Sequence, residues 1–299
     1  MGMSEFPLVV GVDGSDSSLQ AVDWAVDEAV RHGLPLRLVH ASRWERYEGR
    51  RPSFSTDRPA GEVMADHIIA SCTERARLRN PGVKVSGEVL PDDAVSALSK
   101  AGHEAFALVT GSRGRGEVPG LLLGSVSLAV AGRAVCPVIV VRGSEQNRQG
   151  ALGRVVVGVG ESPGGSRAVR FAVREAGTRR CALEAVRVWR VPAHEHGGHH
   201  LPDFVQGEDD AARVYQEQAS THLTEALREA VQGRPQVDVH RKPVEGPAHK
   251  VLLEASADAD LVVVGARRRH GHSGLQFGRV TCALLHHSAC PVAVVPQPD

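Results

Sequence analysis

Leu8-Val-Val-Gly-Val-Asp-Gly-Ser recurs as Val155-Val-Val-Gly-Val-Gly-Glu-Ser. Ala107-Leu-Val-Thr-Gly returns as Leu261-Val-Val-Val-Gly, and Ala134-Val-Cys-Pro-Val-Ile-Val-Val as Ser288-Ala-Cys-Pro-Val-Ala-Val-Val. The order is the same and the spacing nearly so. A repeat of this length is a duplicated domain, since solenoid repeats have periods of roughly 20–50 residues. Whatever fold the first half adopts, the second must adopt too. The 299 residues leave room for two ordinary domains. A polar, glycine-bearing stretch after Arg142 marks the break. The expected organisation is a first domain over 1–143, a linker over 144–153 and a second domain over 154–299.

Each half reads as alternating strands and helices. Leu8–Val12 predicts a strand. The helix after it has Ser15 or Asp16 near its cap, Leu19, Val22, Val26 and Val30 at helical spacing, and Gly33 as a stop. Leu36–Ala41 predicts a second strand, and Gly61–Arg79 a helix halted by Asn80-Pro81-Gly82. Strands follow near Val83–Val89 and Phe106–Thr110, separated by a short helix starting near Pro91. Ser125 opens a further helix, and Val138–Val141 closes the half. The second half repeats this plan and ends in Val292–Val295. Aromatic residues make up only 4% of the chain, so the core must rest on Val, Leu, Ile and Ala, which suits buried parallel strands. The expected class is α/β: two tandem doubly wound, Rossmann-like five-stranded sheets, mostly parallel, with helices on both faces.

Between the fourth strand and the helix at Ser125 lies a glycine-rich loop. Gly111 and Gly114 are separated by two residues, and nine more lead to Gly124-Ser125. Strand, glycine loop and helix N-terminus together make an anion cradle: the backbone N–H groups stay open and the helix dipole favours negative charge. Ser125 is expected as the N-cap. Doubly wound sheets bind ligands beyond the carboxyl ends of their strands, so Asp13 and Gly111 should meet at one site. The same residues also suit simpler roles. Asp13-Gly14-Ser15 can be a turn and helix cap, and Arg113 and Arg115 can be solvated loop charges.

The formal net charge is zero and no long basic run occurs, which argues against a nucleic-acid partner. No apolar run approaches the ~18 residues of a membrane span, and the N-terminus lacks a signal-peptide pattern, so a cytoplasmic protein is expected. Five scattered cysteines without a CxxC pair predict free thiols. The histidines at 194, 196, 199 and 200 match no zinc pattern and read as a polar loop; His286-His287 reads as helix surface. A Walker loop and a Ser-Gly-Gly-x-Asp-Ser loop are absent from the sequence.

The pattern resembles the universal stress protein family in its tandem two-domain form. The resemblance rests on Gly11-Val12-Asp13-Gly14-Ser15, on the Gly111/Gly114/Gly124-Ser125 spacing and on the Cys-Pro-Val-Ile-Val-Val closing strand, and it covers both halves. That loop spacing marks the branch that binds ATP. The resemblance implies that Gly11, Val12 and Asp13 lie against the nucleoside and that Ala41 lines the adenine pocket. Thr110 and Gly111 would border the ribose, and Arg113 and Gly114 would approach the phosphates. Gly124, Ser125, Val126 and Ser127 would hold the terminal phosphates, with magnesium accompanying them. It further implies that the closing strands pair within the chain as a pseudo-dimer, and it allows a homodimer of chains. A regulatory, stress-response protein is expected. No catalytic residue is assigned, because no general base stands near the expected terminal phosphate, and at most slow ATP hydrolysis follows.

The second half departs from the pattern. Gly160 replaces Asp13, Arg268 stands where the second glycine belongs, and Arg279 replaces Ser125. The first change removes an acceptor, the second puts a side chain where backbone must approach, and the third sets a cation against a helix N-terminus. The first half is therefore expected to bind the nucleotide and the second to serve mainly as its structural partner. A non-nucleotide interaction scaffold and a weak ATP-hydrolysing enzyme are the alternatives.

Overall fold

A computed structural model describes residues 6–43, 59–114, 122–160, 167–191, 208–266 and 277–297. The first half contains β1 (Leu8–Gly11), α1 (Asp16–His32), β2 (Leu36–Ala41), α2 (Ala60–Arg79), β3 (Val85–Leu90), α3 (Ala94–Ala101), β4 (Ala107–Gly111), α4 (Ser125–Arg133) and β5 (Val138–Val141). A short helix, α5 (Glu145–Gln149), lies between the halves. The second half contains β6 (Arg154–Gly158), α6 (Arg167–Arg179), β7 (Ala182–Trp189), α7 (Glu208–Gln232), β8 (Val239–Glu245), α8 (Ala248–Ala257), β9 (Leu261–Ala266), α9 (Arg279–His287) and β10 (Val292–Pro296).

The strands form one sheet in the order β3-β2-β1-β4-β5-β10-β9-β6-β7-β8. Within each half every pairing is parallel. The halves join through β5 and β10, which run antiparallel with Ile139 opposite Ala293. The two expected five-stranded sheets are thus present and fused edge to edge. The joint covers an edge that each half alone would expose. Successive strand residues point to opposite faces. Leu8, Val10, Val155 and Val157 enter the core shared with α1, α2, α6 and α7, whereas Val9 and Val156 enter the core shared with α3, α4, α8 and α9. Because both faces are covered, the central strands are nearly all apolar, whereas the edge strands β3 and β8 carry charged residues such as Glu88, Arg241 and Lys242.

Helix boundaries follow local chemistry. Ser15 caps α1 by accepting from the Ser18 N–H, and Gly33 ends it in the left-handed conformation at φ 68°. The buried face of α1 carries Ala21, Val22, Ala25, Val26 and Ala29; Val30, expected on that face, is exposed. The small alanines bring the helix close to the sheet and rotate Val30 outward. The third helix starts at Ala94 rather than near Pro91, because Asp93 caps it by accepting from the N–H and hydroxyl of Ser96. Gly124, not Ser125, is the N-cap of α4, and Ser125 is its first helical residue. Cys72, Cys136 and Cys290 are buried free thiols, and Cys181 and Cys282 are partly buried free thiols. Among the described residues no helix is long and apolar enough to cross a membrane.

The strand registers relate the halves residue by residue. Leu8 pairs with Leu36, as Val155 pairs with Leu183. The same offset equates Trp24 with Phe171, Glu28 with Glu175, His32 with Arg179 and Gly33 with Arg180. Arg180 keeps the positive φ of its counterpart, at 53°. At the junction α1 and α6 bring Glu28, His32, Glu175 and Arg179 together. Arg179 donates to Glu28 at 2.7 Å, and His32 Nε2 lies 3.2 Å from Glu28 and 3.3 Å from Glu175. Glu28, His32 and Glu175 could by spacing share a metal ion. Arg179 and Arg31 already neutralise Glu28, so the cluster is an ion-pair network.

Two further contacts fasten the halves. Arg142, at the end of β5, donates to the carbonyls of Leu285, His286 (2.6 Å) and Ser288 (2.9 Å), capping the carboxyl end of α9. Asn147 of α5 donates to the carbonyls of Ala257 (2.9 Å) and Ala259 (2.8 Å).

Candidate functional site

The carboxyl ends of β1 and β4 adjoin at the centre of the first half, with Val10 opposite Val109. The chain leaves β1 towards β2 on one side, while β4 leads to β5 on the other. The crevice between them is the point where strand order reverses, the usual ligand position in such sheets. Its walls come from the turn after β1 and the loop after β4.

The turn after β1 is held by hydroxyls and one carboxylate. Asp13 Oδ1 accepts from the Ser15 N–H at 3.0 Å and the Ser15 hydroxyl at 2.6 Å. The Ser18 hydroxyl accepts from the Gly14 N–H at 3.1 Å, and Gly14 takes φ 81°, which only glycine adopts freely. The turn-and-cap role foreseen for Asp13-Gly14-Ser15 is therefore present. Asp13 uses one carboxylate oxygen for it. The other, Oδ2, faces the glycine loop, and a Cβ on Gly114 would stand 2.7 Å from it. The two motifs, about a hundred residues apart in sequence, thus meet.

Gly111 is tighter still: a Cβ there would lie 2.6 Å from the Ser17 carbonyl oxygen, a backbone atom that cannot swing away. The Ser17 hydroxyl accepts from the Arg113 N–H at 3.1 Å. The Gly124 N–H donates to the Ser112 carbonyl at 2.8 Å, so the two ends of the loop are clamped together. The hydroxyl of Ser127, 6% exposed, donates to the Gly111 carbonyl at 2.7 Å and ties α4 to the end of β4. Val126 packs against the apolar cluster on this face. Ser125 and the Arg113 side chain are exposed. The first turn of α4 carries no acidic residue, so its positive dipole end stays open to an anion.

The nucleoside side is built from β1, β2 and β4. Val12 is buried, and its N–H donates to the Val39 carbonyl at 2.9 Å. His40 Nδ1 lies 2.7 Å from the Val12 carbonyl and supports the turn from below. Ala41 ends β2, and Gly11 is pressed by Leu98, whose Cδ1 would be 2.8 Å from an added Cβ. The Thr110 hydroxyl is buried without a hydrogen-bond partner, an unmet polar group at the floor of the crevice. Just beyond Ala41, Arg43 pairs with Asp93 at 2.7 Å; hydrogen bonds from Ser96 and this arginine hold the Asp93 carboxyl far below the usual carboxylate range.

Gly11, Val12, Asp13, Ala41, Thr110, Gly111, Gly114 and Gly124 therefore surround one crevice. Ser17, Ser18 and His40 belong to the same framework and were not singled out in the sequence. Ser17 and Ser18 are signalled only by the Ser15-x-Ser17-Ser18 spacing after the turn. His40 carries no local signal at all.

The equivalent crevice in the second half is filled differently. Among the described residues nothing lies within 4 Å of a Cβ placed on Gly160, the counterpart of Asp13. A Cβ on Gly265 would meet Gln297 Nε2 at 2.9 Å. Gln297 is held across this place by accepting from the Arg167 N–H at 3.0 Å. Arg187 donates to the Val159 carbonyl at 3.2 Å, in the position that His40 occupies beneath Val12. Gly278 caps α9, whose first residue is Arg279. Arg115, Arg267, Arg268, Arg269, His270 and the histidines between 194 and 200 lie outside the described residues.

Comparison with known proteins agrees with this architecture. The sequence profile of the universal stress protein family matches residues 7–142 and again 152–296. Universal stress protein Rv2623 of Mycobacterium tuberculosis is 30% identical over 305 residues, covering 99% of this chain and 98% of its own. Universal stress protein Rv2005c of the same species is 33% identical over 313 residues, covering 97% of each. A crystal structure of a universal stress protein from Archaeoglobus fulgidus superposes with a TM-score of 0.67 at 18% identity, over 99% of this chain and all of that one, and so shares the fold. Two family matches in tandem, whole-length relatives and one fused sheet give a single conclusion: the chain belongs to the universal stress protein family, in its tandem two-domain form.

Proposed function

We propose that the first half binds ATP with magnesium in the crevice between β1 and β4, and that the protein acts in a stress response as a regulator whose state follows nucleotide occupancy. The observation that carries this reading is the approach of Asp13 Oδ2 to Gly114, within 2.7 Å of where a Cβ would stand. A carboxylate then stands beside a helix N-terminus whose first turn carries no acidic residue. The unpartnered Thr110 hydroxyl supplies one further polar group for a ribose. Asp13 and Ala41 would border the nucleoside, Gly111 and Gly114 the ribose and first phosphates, and Gly124 with Ser125 the terminal phosphates. Magnesium would neutralise the phosphates and be held mainly through them. The Arg113 side chain is free to close over the phosphates from solvent. In the same reading the domains meet near 144–153, and the protein works in the cytoplasm.

The second half supports a separate role. Gln297 across Gly265 and the loss of a carboxylate at Gly160 favour a structural partner over a second nucleotide site. Equilibrium dialysis with ATP and magnesium tests the proposal. Saturable binding that disappears in Asp13→Ala is expected; binding that persists unchanged in Asp13→Ala overturns the assignment of the crevice.

A further inference from the structure

The strand registers also equate the outer helices. Leu36 pairs with Val85 in the first half, as Leu183 pairs with Val239 in the second. By that offset Arg75 and Arg79 of α2 correspond to Glu229 and Gly233 at the end of α7. On the inner helices Asp23 and Asp27 of α1 correspond to Arg170 and Arg174 of α6. In the first half these positions form two forked ion pairs. Arg75 grips Asp23 at 2.7 and 2.6 Å, and Arg79 grips Asp27 at 2.8 and 2.7 Å.

In the second half the charges are reversed. Glu229 stands where Arg75 stood and lines the same groove as Arg170. Gly233 stands where an acid would be needed to meet Arg174. The missing side chain leaves a groove of about 460 Å³, against about 90 Å³ at the equivalent place beside Asp27 and Arg79. The larger volume is in the range of small-molecule sites.

The groove is cationic and partly apolar. The Arg174 guanidinium lies 4.2 Å from the Phe106 ring centre and 5.2 Å from that of Phe171. Its Nε is buried with no hydrogen-bond partner. Arg234 adds a second cation to the same wall. Among the described residues, neither Arg174 nor Arg234 has a carboxylate within ion-pair distance. Burial lowers the Arg174 pKa, and the Arg234 charge adds to this against the opposing charges of Glu175 and Glu28. Two cations lining one concave groove favour an anion between them. Val135, Pro137 and Val295 add apolar lining to the groove.

We propose that this groove binds a small organic anion, a phosphate or carboxylate seated between Arg174 and Arg234 with its apolar body against Phe171 and Pro137. The site lies on the face of the sheet that carries α1 and α6, beside the joint of the two halves, and is independent of the crevice between β1 and β4.

Calorimetric titration of the full chain with phenyl phosphate tests it. Saturable binding is expected, weakened by at least about tenfold in Arg174→Gln, the loss of one charge-assisted contact. Gly233→Glu supplies the missing acid. An added Cβ there meets only the Ala230 carbonyl at an ordinary 3.8 Å, so the variant should fold, melt higher than the parent and lose the ligand. Asp13→Ala should bind phenyl phosphate as the parent does, which separates this site from the nucleotide crevice. Absence of saturable binding, or binding undiminished in Gly233→Glu, overturns the proposal. Loss of binding in Asp13→Ala with retention in Arg174→Gln overturns it as well, by placing the ligand in the other crevice.

Discussion

Glu28 and Glu175 occupy equivalent positions on α1 and α6 and meet, both fully buried, where the two halves join. The antiparallel pairing of β5 with β10 brings the two helices face to face, so a residue of one half confronts its own counterpart. Two carboxylates cannot both stay charged at such a place without help. Arg179, the counterpart of His32, supplies part of it. Burial alone would raise the Glu28 pKa, but the Arg179 charge and the hydrogen bond from His32 hold it well below the usual range. Burial and the neighbouring Glu28 charge push Glu175 up to about 7. Burial would lower His32, yet its hydrogen bonds to Glu175 and Glu28 raise it to about 9. The pair has divided its roles: one carboxylate stays charged, and the other keeps its proton to higher pH.

This division sets a pH dependence. A group whose folded pKa is raised contributes stability that is present below its unfolded pKa and lost as pH rises through the folded value. For Glu175 the loss runs from the ordinary carboxylate value of 4.5 to about 7, and for His32 from 6.5 to about 9. Glu28, whose pKa is depressed, has the opposite sign: its contribution is lost as pH falls below 4.5. Melting temperature should therefore peak in mildly acidic buffer and fall towards pH 9. Glu175→Gln should flatten the segment between 4.5 and 7 and also shrink the segment from 6.5 to 9, because it removes a carboxylate that raises His32. A melting profile in Glu175→Gln identical in shape to the parent contradicts this.

Removing the other carboxylate should be costly. Glu28→Gln leaves the Arg179 guanidinium buried without its 2.7 Å partner. A destabilisation of about 3 kcal/mol is expected, the usual scale for breaking one side of a buried pair. Urea denaturation measures it; a change below about 1 kcal/mol would mean the cluster is solvated.

Arg142 is the second fastener. Its three donations to the last carbonyls of α9 use the planar fork of a guanidinium. Arg142→Lys should keep the charge and still lose about 1–2 kcal/mol in the same assay, because a lysine cannot reach all three carbonyls at once. Full stability in Arg142→Lys would show that charge, not geometry, matters there.

The glycines of the first-half loop should separate folding from binding. In Gly111→Ala the new methyl meets the Ser17 carbonyl at 2.6 Å, and roughly 1–3 kcal/mol of stability should be lost. In Gly114→Ala it meets the end of the Asp13 side chain at 2.7 Å, which can turn aside. That variant should melt within a few degrees of the parent while its Asp13 carboxylate no longer faces the crevice. Equal melting losses in both variants would contradict the geometry.

Much of this was legible in the sequence. The repeated passages located β1, β4 and β5 closely, and strand order alone implied that Asp13 and the Gly111 loop would share a crevice. Gly33 and Ser15 announced the ends of α1. What stayed hidden depends on contacts made across the fold. Ser17 and Ser18 look like ordinary first-turn residues until the loop after β4 is laid over them. His40 looks like an interior strand residue until β1 runs beside it. Ser125 looked like a cap because serine favours that place, yet Gly124 takes the extended conformation before the helix, at φ −73° and ψ 146°. Glu28 and Glu175 sit at matching positions of the repeat, but their burial comes from the β5–β10 joint, which no helix pattern encodes.

The central claim is that one half of the chain holds the nucleotide. Calorimetric titration with ATP and magnesium, run on the parent, Gly114→Ala and Gly265→Ala, tests it most directly. In Gly265→Ala the nearest atoms to the added methyl belong to the Gln297 side chain, from 2.9 Å, with no backbone atom among them, so the fold should be kept. The expected result is one site per chain, weakened by at least about tenfold in Gly114→Ala and unchanged in Gly265→Ala. Two sites per chain, or a site lost in Gly265→Ala and kept in Gly114→Ala, would contradict the assignment.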